Sequence, residues 1–321
     1  MPVRRAWQCG GALALMLVLG VAAAAQSGKL NSKGQLVLGD GAGPGPLAMN
    51  RPVWSLAPPS QRLPNPSPAK IQSIIQTFAT HERDFRQLLA NNYTYTESIL
   101  MQSVSDLGPG GQPTGAFQQV NNIVYVPGSG RQIVCTYCPQ PTLTSINITP
   151  DDVTDMFNMN MYTFSIDELP QYNVTYLDHQ HLDQITAYMF RVQPKKIVKG
   201  RRYFDGVVYV DDQSLCIVKS IGRVVPDIYD KKGYAQNTFL PFTVWRKEID
   251  GKYWFPVYTL MQGEIPPSGP GATPVPMRMV IQFKNYKRFG ASARILSVQT
   301  DPNTPKKTNP KSKKGGGGGG L

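Results

Sequence analysis

The chain is poor in the residues that metal sites and redox centres need. Among 321 residues there are 3 histidines and 4 cysteines. That is too few cysteines for a small disulfide-stapled scaffold. Charged residues are 17% of the chain, and acids are outnumbered, 21 against 33 Lys and Arg. No G-x-S-x-G elbow and no Walker loop occurs, and no G-x-G-x-x-G follows a strand and opens a helix. The usual nucleophile elbow and phosphate cradles are therefore missing. No three- or seven-residue repeat appears, which excludes collagen and coiled coil.

What is present is apolar and aromatic residues in alternating patterns, at 41% and 10% of the chain. That content argues against wholesale disorder. The net charge of +12 invites a nucleic-acid reading, but the charge sits mostly at the ends. Residues 69–300 hold 22 basic and 19 acidic residues. Their one basic cluster, Lys195, Lys196, Lys199, Arg201 and Arg202, reads as a solvated turn rather than a nucleic-acid groove. No nucleic-acid partner is expected.

Four segments follow from composition. Residues 1–25 read as a cleavable signal peptide: Arg4 and Arg5, an apolar run over 10–24, then Ala23-Ala24-Ala25. Residues 26–68 are rich in Gly, Pro, Ser and Asn and read as a disordered linker. Residues 69–298 form the folded domain. Residues 299–321 read as a disordered tail of Lys and Gly, which could touch an anionic membrane surface. Export to the periplasm, with association to the envelope, is the implied location.

The domain opens with a helix, because Ile71, Ile74, Ile75, Phe78, Phe85, Leu88 and Leu89 recur at three- and four-residue steps. A strand follows from Tyr93 toward Val104. Hairpins are expected at 120–137, 172–193, 202–222 and 239–260, with further strands at 275–286 and 295–299. Thr149-Pro150-Asp151-Asp152 reads as the start of a short helix, and 165–169 as one more turn. The expected fold class is α+β and mainly antiparallel: an unclosed half-barrel of about 8–11 strands, ordered as a meander, with an N-terminal helix and short capping helices.

Catalytic candidates are weak. His179 and His181, with Asp178 and Asp183, fall in an expected hairpin loop and lack a further ligand. His81 lies on the first helix as a surface or boundary residue. The acid pairs Asp151-Asp152, Asp167-Glu168 and Asp211-Asp212 sit at turns or helix starts, where capping explains them. No catalytic residue, metal or cofactor is assigned, and the chain is read as a non-enzyme. Cys135 and Cys138 could close a local disulfide in an oxidising compartment, or stand as two idle thiols. Cys216 reads as a buried small hydrophobe.

Two runs carry a resemblance. Arg201-Arg202-Tyr203-Phe204-Asp205-Gly206-Val207-Val208-Tyr209-Val210-Asp211 is followed by Leu215-Cys216-Ile217-Val218-Lys219, and Glu248 to Pro256 makes a hairpin around Asp250-Gly251. Over roughly residues 69–290 this resembles the outer-membrane lipoprotein-sorting proteins, the LolA/LolB-like exported carriers, in a soil-bacterial branch. The resemblance implies an unclosed barrel with a hydrophobic cavity that carries lipid or lipoprotein acyl chains. Alternation along the strands points to Tyr188, Phe190, Val208, Val210, Ile217 and Trp245 as the lining. A monomer is expected. The alternative is a regulatory or structural envelope module of the same fold that carries no lipid.

Overall fold

The computed structural model describes residues 54–289, apart from 109, 127–129, 145, 147–163, 230, 233–234, 238–239 and 268, together with the backbone of 28–30 and 36–38. The signal segment, the short helix expected at Thr149, the strand expected at 295–299 and the Lys/Gly tail lie outside the described residues. The backbone of 28–30 and 36–38 forms a small antiparallel pair, β1 (Gly28–Leu30) and β2 (Leu36–Leu38).

Helix α1 spans Pro68–Asn92. Ser67 caps it, its hydroxyl accepting from the Lys70 amide at 3.3 Å, and Pro68 fits the first turn because its missing N–H would be unpaired there anyway. One face is buried: Ile74, Ile75, Phe78, Ala79, Phe85 and Leu89, with Glu82 in their midst. The helix stops where Tyr93 turns extended, and the chain passes directly into a strand.

Twelve further strands follow. They are β3 (Tyr93–Val104), β4 (Pro113–Val126), β5 (Gly130–Tyr137), β6 (Tyr172–Leu182), β7 (Ile185–Pro194), β8 (Tyr203–Asp211) and β9 (Ile217–Val225). Then come β10 (Ile228–Tyr229), β11 (Ala235–Asn237), β12 (Phe242–Glu248), β13 (Trp254–Ile265) and β14 (Val275–Arg288). β10 and β11 pair with each other. The other ten form one antiparallel sheet in the order β5-β4-β3-β14-β13-β12-β9-β8-β7-β6. The sheet does not close, since β5 and β6 are its two edges.

This order corrects the simple meander. β6 to β9 and then β12 to β14 do run as neighbours, but β3 pairs with β14 along ten partnered positions from Met277↔Ser103 to Arg288↔Tyr93. Alternation shows that a strand exists; it does not show which partner covers its edge. Consequently β5 and β6, adjacent in sequence, stand at opposite edges.

The two faces differ in what covers them. Inward residues form one large apolar cluster with the buried face of α1. The other face of β7, β8 and β9 carries a smaller cluster of Ala187, Met189, Val207, Tyr209, Val218 and Ile221, on which Trp54 and Leu56 pack. Residues 54–67, within the segment read from composition as a linker, are fastened here. The Leu63 amide donates to the His179 carbonyl at 2.7 Å, the Ala57 amide to Gln180 Oε1 at 2.9 Å, and Tyr176 Oη to Asn65 Oδ1 at 2.8 Å. Arg62 pairs with Asp178 at 3.2 Å, and Arg191 lies over the Trp54 ring. The strap thus supplies partners to an edge strand that would otherwise be open to unwanted pairing.

Candidate functional site

The register places two inward rows across the sheet. One runs Phe190–Val208–Ser220–Val244–Thr259–Ile281–Ile99–Gln119. The next runs Val192–Gly206–Gly222–Phe242–Met261–Met279–Met101–Phe117. Gly206 and Gly222 face each other because the Phe204 ring lies on them; a Cβ at either position would overlap that ring. Beyond them the second row is Phe, Met, Met, Met, Phe over five neighbouring strands. Thioether side chains are unbranched and polarizable, so such a row adapts its shape to whatever lies on it.

The six residues expected as a lining divide three ways. Phe190, Val208, Val210 and Ile217 are inward and fully buried in the cluster that includes α1. Phe190 packs on Phe78 of the helix, ring centroids 5.2 Å apart. Tyr188 is half-buried and stacks on His179 at 4.3 Å. Trp245 points to the opposite face, against Tyr258 at 5.5 Å and beneath the Lys219 ammonium. Val244 is inward, and strict alternation sends its neighbour outward.

At α1 the inward face is filled rather than hollow. A cavity lined by His81, Glu82, Phe85, Cys216, Ile217, Arg246, Tyr253 and Trp254 holds about 10 Å³, no more than one water needs. Its polar centre is an ion pair between layers. Arg246 of β12 donates to both carboxylate oxygens of Glu82, at 2.7 and 2.8 Å, and its guanidinium lies over the Phe85 ring. Such a pair is bidentate and directional, and it ties the helix to one place on the sheet. A larger opening of about 590 Å³ lies near the end of α1 and is lined by Asp84, Gln87, Leu88, Asn91, Asn92, Asp250, Lys252, Tyr253 and Arg288. Its polar, mixed-charge lining does not suit an acyl chain.

The β3–β4 side of the inward face is more polar. Glu97 lies opposite Asn121, and both are buried. Neither Glu97 oxygen, nor Asn121 Nδ2, has a hydrogen-bond partner among the described residues. Burial pushes the Glu97 carboxyl up to about 8, against a weaker opposing pull from Arg131. Arg131 of β5 donates to Tyr95 Oη at 2.9 Å. Cys135 of β5 and Cys138, just past its end, are joined in a disulfide with Cα atoms 6.3 Å apart. Cys216 is a free, buried thiol that burial pushes up to about 11.

His81, His179, Asp211, Asp212 and Glu168 have structural partners, while the pair Asp151-Asp152 lies outside the described residues. His179 lies in β6, not in a loop; the bulge between Tyr176 and Asp178 carries the strand on to Leu182. Its Nδ1 is 3.1 Å from the Pro64 carbonyl and its Nε2 3.1 Å from Asp212 Oδ2, so it joins strap, strand and turn. Burial opposes ionisation of Asp212, but hydrogen bonds with Thr186, Gln213 and His179 outweigh it and lower its pKa. His181 is exposed. His81 Nδ1 is 3.1 Å from the Leu215 carbonyl. Asp211 accepts from the Ser214 amide and hydroxyl, and Glu168 from the Ser165 amide and Arg86, as turn residues do. Among the described residues no group of three His, Cys, Asp or Glu is arranged to hold a metal.

With this geometry the chain is similar to proteins of the LolA type. A LolA superfamily protein from Nitrosomonas europaea is 12% identical, with 66% of this chain and 92% of that one covered at a TM-score of 0.30. A domain assigned to outer-membrane lipoprotein sorting from Vibrio parahaemolyticus is 14% identical, covering 67% and 93% at 0.31. A DUF1329 family protein from Desulfovibrio piger is 14% identical, covering 66% and 92% at 0.30. No protein-family model matches the chain, and no curated protein matches it. The fold itself stands on the strand order and register given above.

The methionine row and the Arg246–Glu82 pair were not singled out from sequence. Met101, Met261 and Met279 are far apart in the chain and meet only because β14 lies between β13 and β3. Met, Leu and Val look alike in a hydrophobic alternation. Glu82 did carry a signal: an acid in the middle of an apolar helical face needs a buried partner.

Proposed function

We propose that the protein is an exported, non-enzymatic binding protein that holds a lipid or lipoprotein acyl chain between α1 and the inward face of its sheet. The observation that carries this reading is the row Phe242–Met261–Met279–Met101–Phe117, an adaptable apolar strip on an unclosed sheet. Each methylene laid on it contributes about 0.8 kcal/mol, so binding requires no catalytic group. The space beneath α1 is about 10 Å³, too small for an acyl chain. Loading then requires the helix to lift, with the Arg246–Glu82 pair as its polar fastening. Export is supported by the charged, apolar and small-residue order of residues 1–25 and by the Cys135–Cys138 disulfide, which persists in oxidising compartments.

A second reading rests on the same filled space. If α1 never lifts, the protein is an envelope interaction module whose partner contacts its outer surfaces. Native mass spectrometry of protein purified from membranes separates the two. The carrier reading expects a co-purifying lipid or acylated species, reduced in a Met101→Ser/Met279→Ser variant. Lipid-free protein from every membrane preparation favours the module.

A further inference from the structure

The loop between β7 and β8 has no part in the proposed site. Residues 195–202 read Lys-Lys-Ile-Val-Lys-Gly-Arg-Arg, five cations without an acid. Two large aliphatic residues stand at its centre, Ile197 with 44% and Val198 with 43% of their surface exposed. Together they form a small exposed aliphatic tip flanked by cations.

The loop is braced, not slack. Lys195 donates through its amide to the Gln171 carbonyl at 2.8 Å and through Nζ to the Pro170 carbonyl at 2.9 Å. The Arg201 side chain donates to Gln171 Oε1 at 3.2 Å, and its amide to the Val198 carbonyl at 3.1 Å. Gly200 takes a φ of +78°, which closes the turn at no steric cost. These bonds occupy the two ends of the loop and leave Lys196, Ile197, Val198 and Lys199 exposed together.

Nearby acids are already paired: Glu168 with Arg86 and Asp205 with Arg191, while Asp167 stays exposed on the neighbouring turn. The turn between β10 and β11, later in the chain, carries exposed Lys231 and Lys232.

We propose that this loop docks the protein on an anionic phospholipid bilayer, with Ile197 and Val198 entering the interface and Lys196 and Lys199 meeting lipid phosphates. Cations flanking a short aliphatic tip match that surface, with charge outside and hydrocarbon beneath. A nucleic-acid groove would present aromatic rings or planar guanidinium forks to bases, and this tip presents aliphatics. The inference goes beyond the acyl-binding reading and stands without it.

The test is co-sedimentation of the full mature chain with phosphatidylcholine vesicles, with and without phosphatidylglycerol. Wild-type protein is expected to sediment with the anionic vesicles. Ile197→Ser/Val198→Ser should weaken this by at least about tenfold. Lys196→Gln/Lys199→Gln should weaken it by about fivefold per cation removed. Both variants should keep the wild-type melting temperature, because these side chains are exposed. Removal of residues 301–321 should leave the dependence on Ile197 and Val198 intact. The proposal is overturned if wild-type protein ignores anionic vesicles, if the loop variants bind as wild type does, if tail removal alone abolishes binding, or if the loop binds duplex DNA and not vesicles.

Discussion

Arg246 on β12 and Glu82 on α1 meet through two hydrogen bonds of 2.7 and 2.8 Å, with each side chain only 2% exposed. This charged contact joins the helix to the inward face of the sheet. Water is excluded, so neither partner tolerates loss of the other.

Replacing one member, as in Arg246→Met or Glu82→Gln, should cost about 3–5 kcal/mol in denaturant unfolding. The double change Glu82→Met/Arg246→Met should recover most of that loss, because two packed apolar chains need no counter-charge. If the double variant is as unstable as the singles added together, the contact is not the pairwise fastening described.

Glu97 gives the fold a pH dependence. Burial pushes its carboxyl up to about 8 in the folded chain, from the ordinary 4.5 of an unfolded one. Between those values the folded state holds more protons than the unfolded one, so stability falls as pH rises from about 4.5 to about 8 and levels off above. Glu97→Gln should flatten that slope and raise the melting temperature at pH 8 by about 5 °C or more. An unchanged slope would mean that the carboxyl is solvated.

The cysteines make a separate prediction. Protein from an oxidising compartment should carry one disulfide, and alkylation under native conditions should add nothing, since Cys216 is buried with its thiol pushed up to about 11. After unfolding without reductant, one alkyl group should be gained. Cys135→Ser/Cys138→Ser should cost no more than about 2 kcal/mol, because the closed loop is short. Two rapidly labelled thiols in the native oxidised protein would contradict this.

Most of the secondary structure could be read from sequence. The helix over 68–92 showed in the spacing of Ile74, Phe78, Phe85 and Leu89, and the strands showed in their alternation. The half-barrel class followed, and the ten-stranded open sheet agrees with it. The pairing of β3 with β14 could not be read, because hydrophobic alternation carries no address for a partner strand. The inward face was legible in part for that reason. Phe190, Val208, Val210 and Ile217 are inward, yet they lie under the helix. The strap at 54–67 was hidden because Pro, Ser and Asn lower local propensity, while Trp54, Leu56 and Arg62 find partners far along the chain. His179 looked like a loop residue because the β6 bulge breaks the period of two.

The measurement that bears most directly on the central claim is titration of the protein with a fluorescent acyl probe, for wild type and for Met101→Ser/Met279→Ser. The account predicts saturable uptake of one probe per chain, weakened at least about fivefold in the variant under conditions where circular dichroism shows both proteins folded. No saturable uptake by wild-type protein, or equal uptake by the variant, would contradict a ligand site on the methionine row.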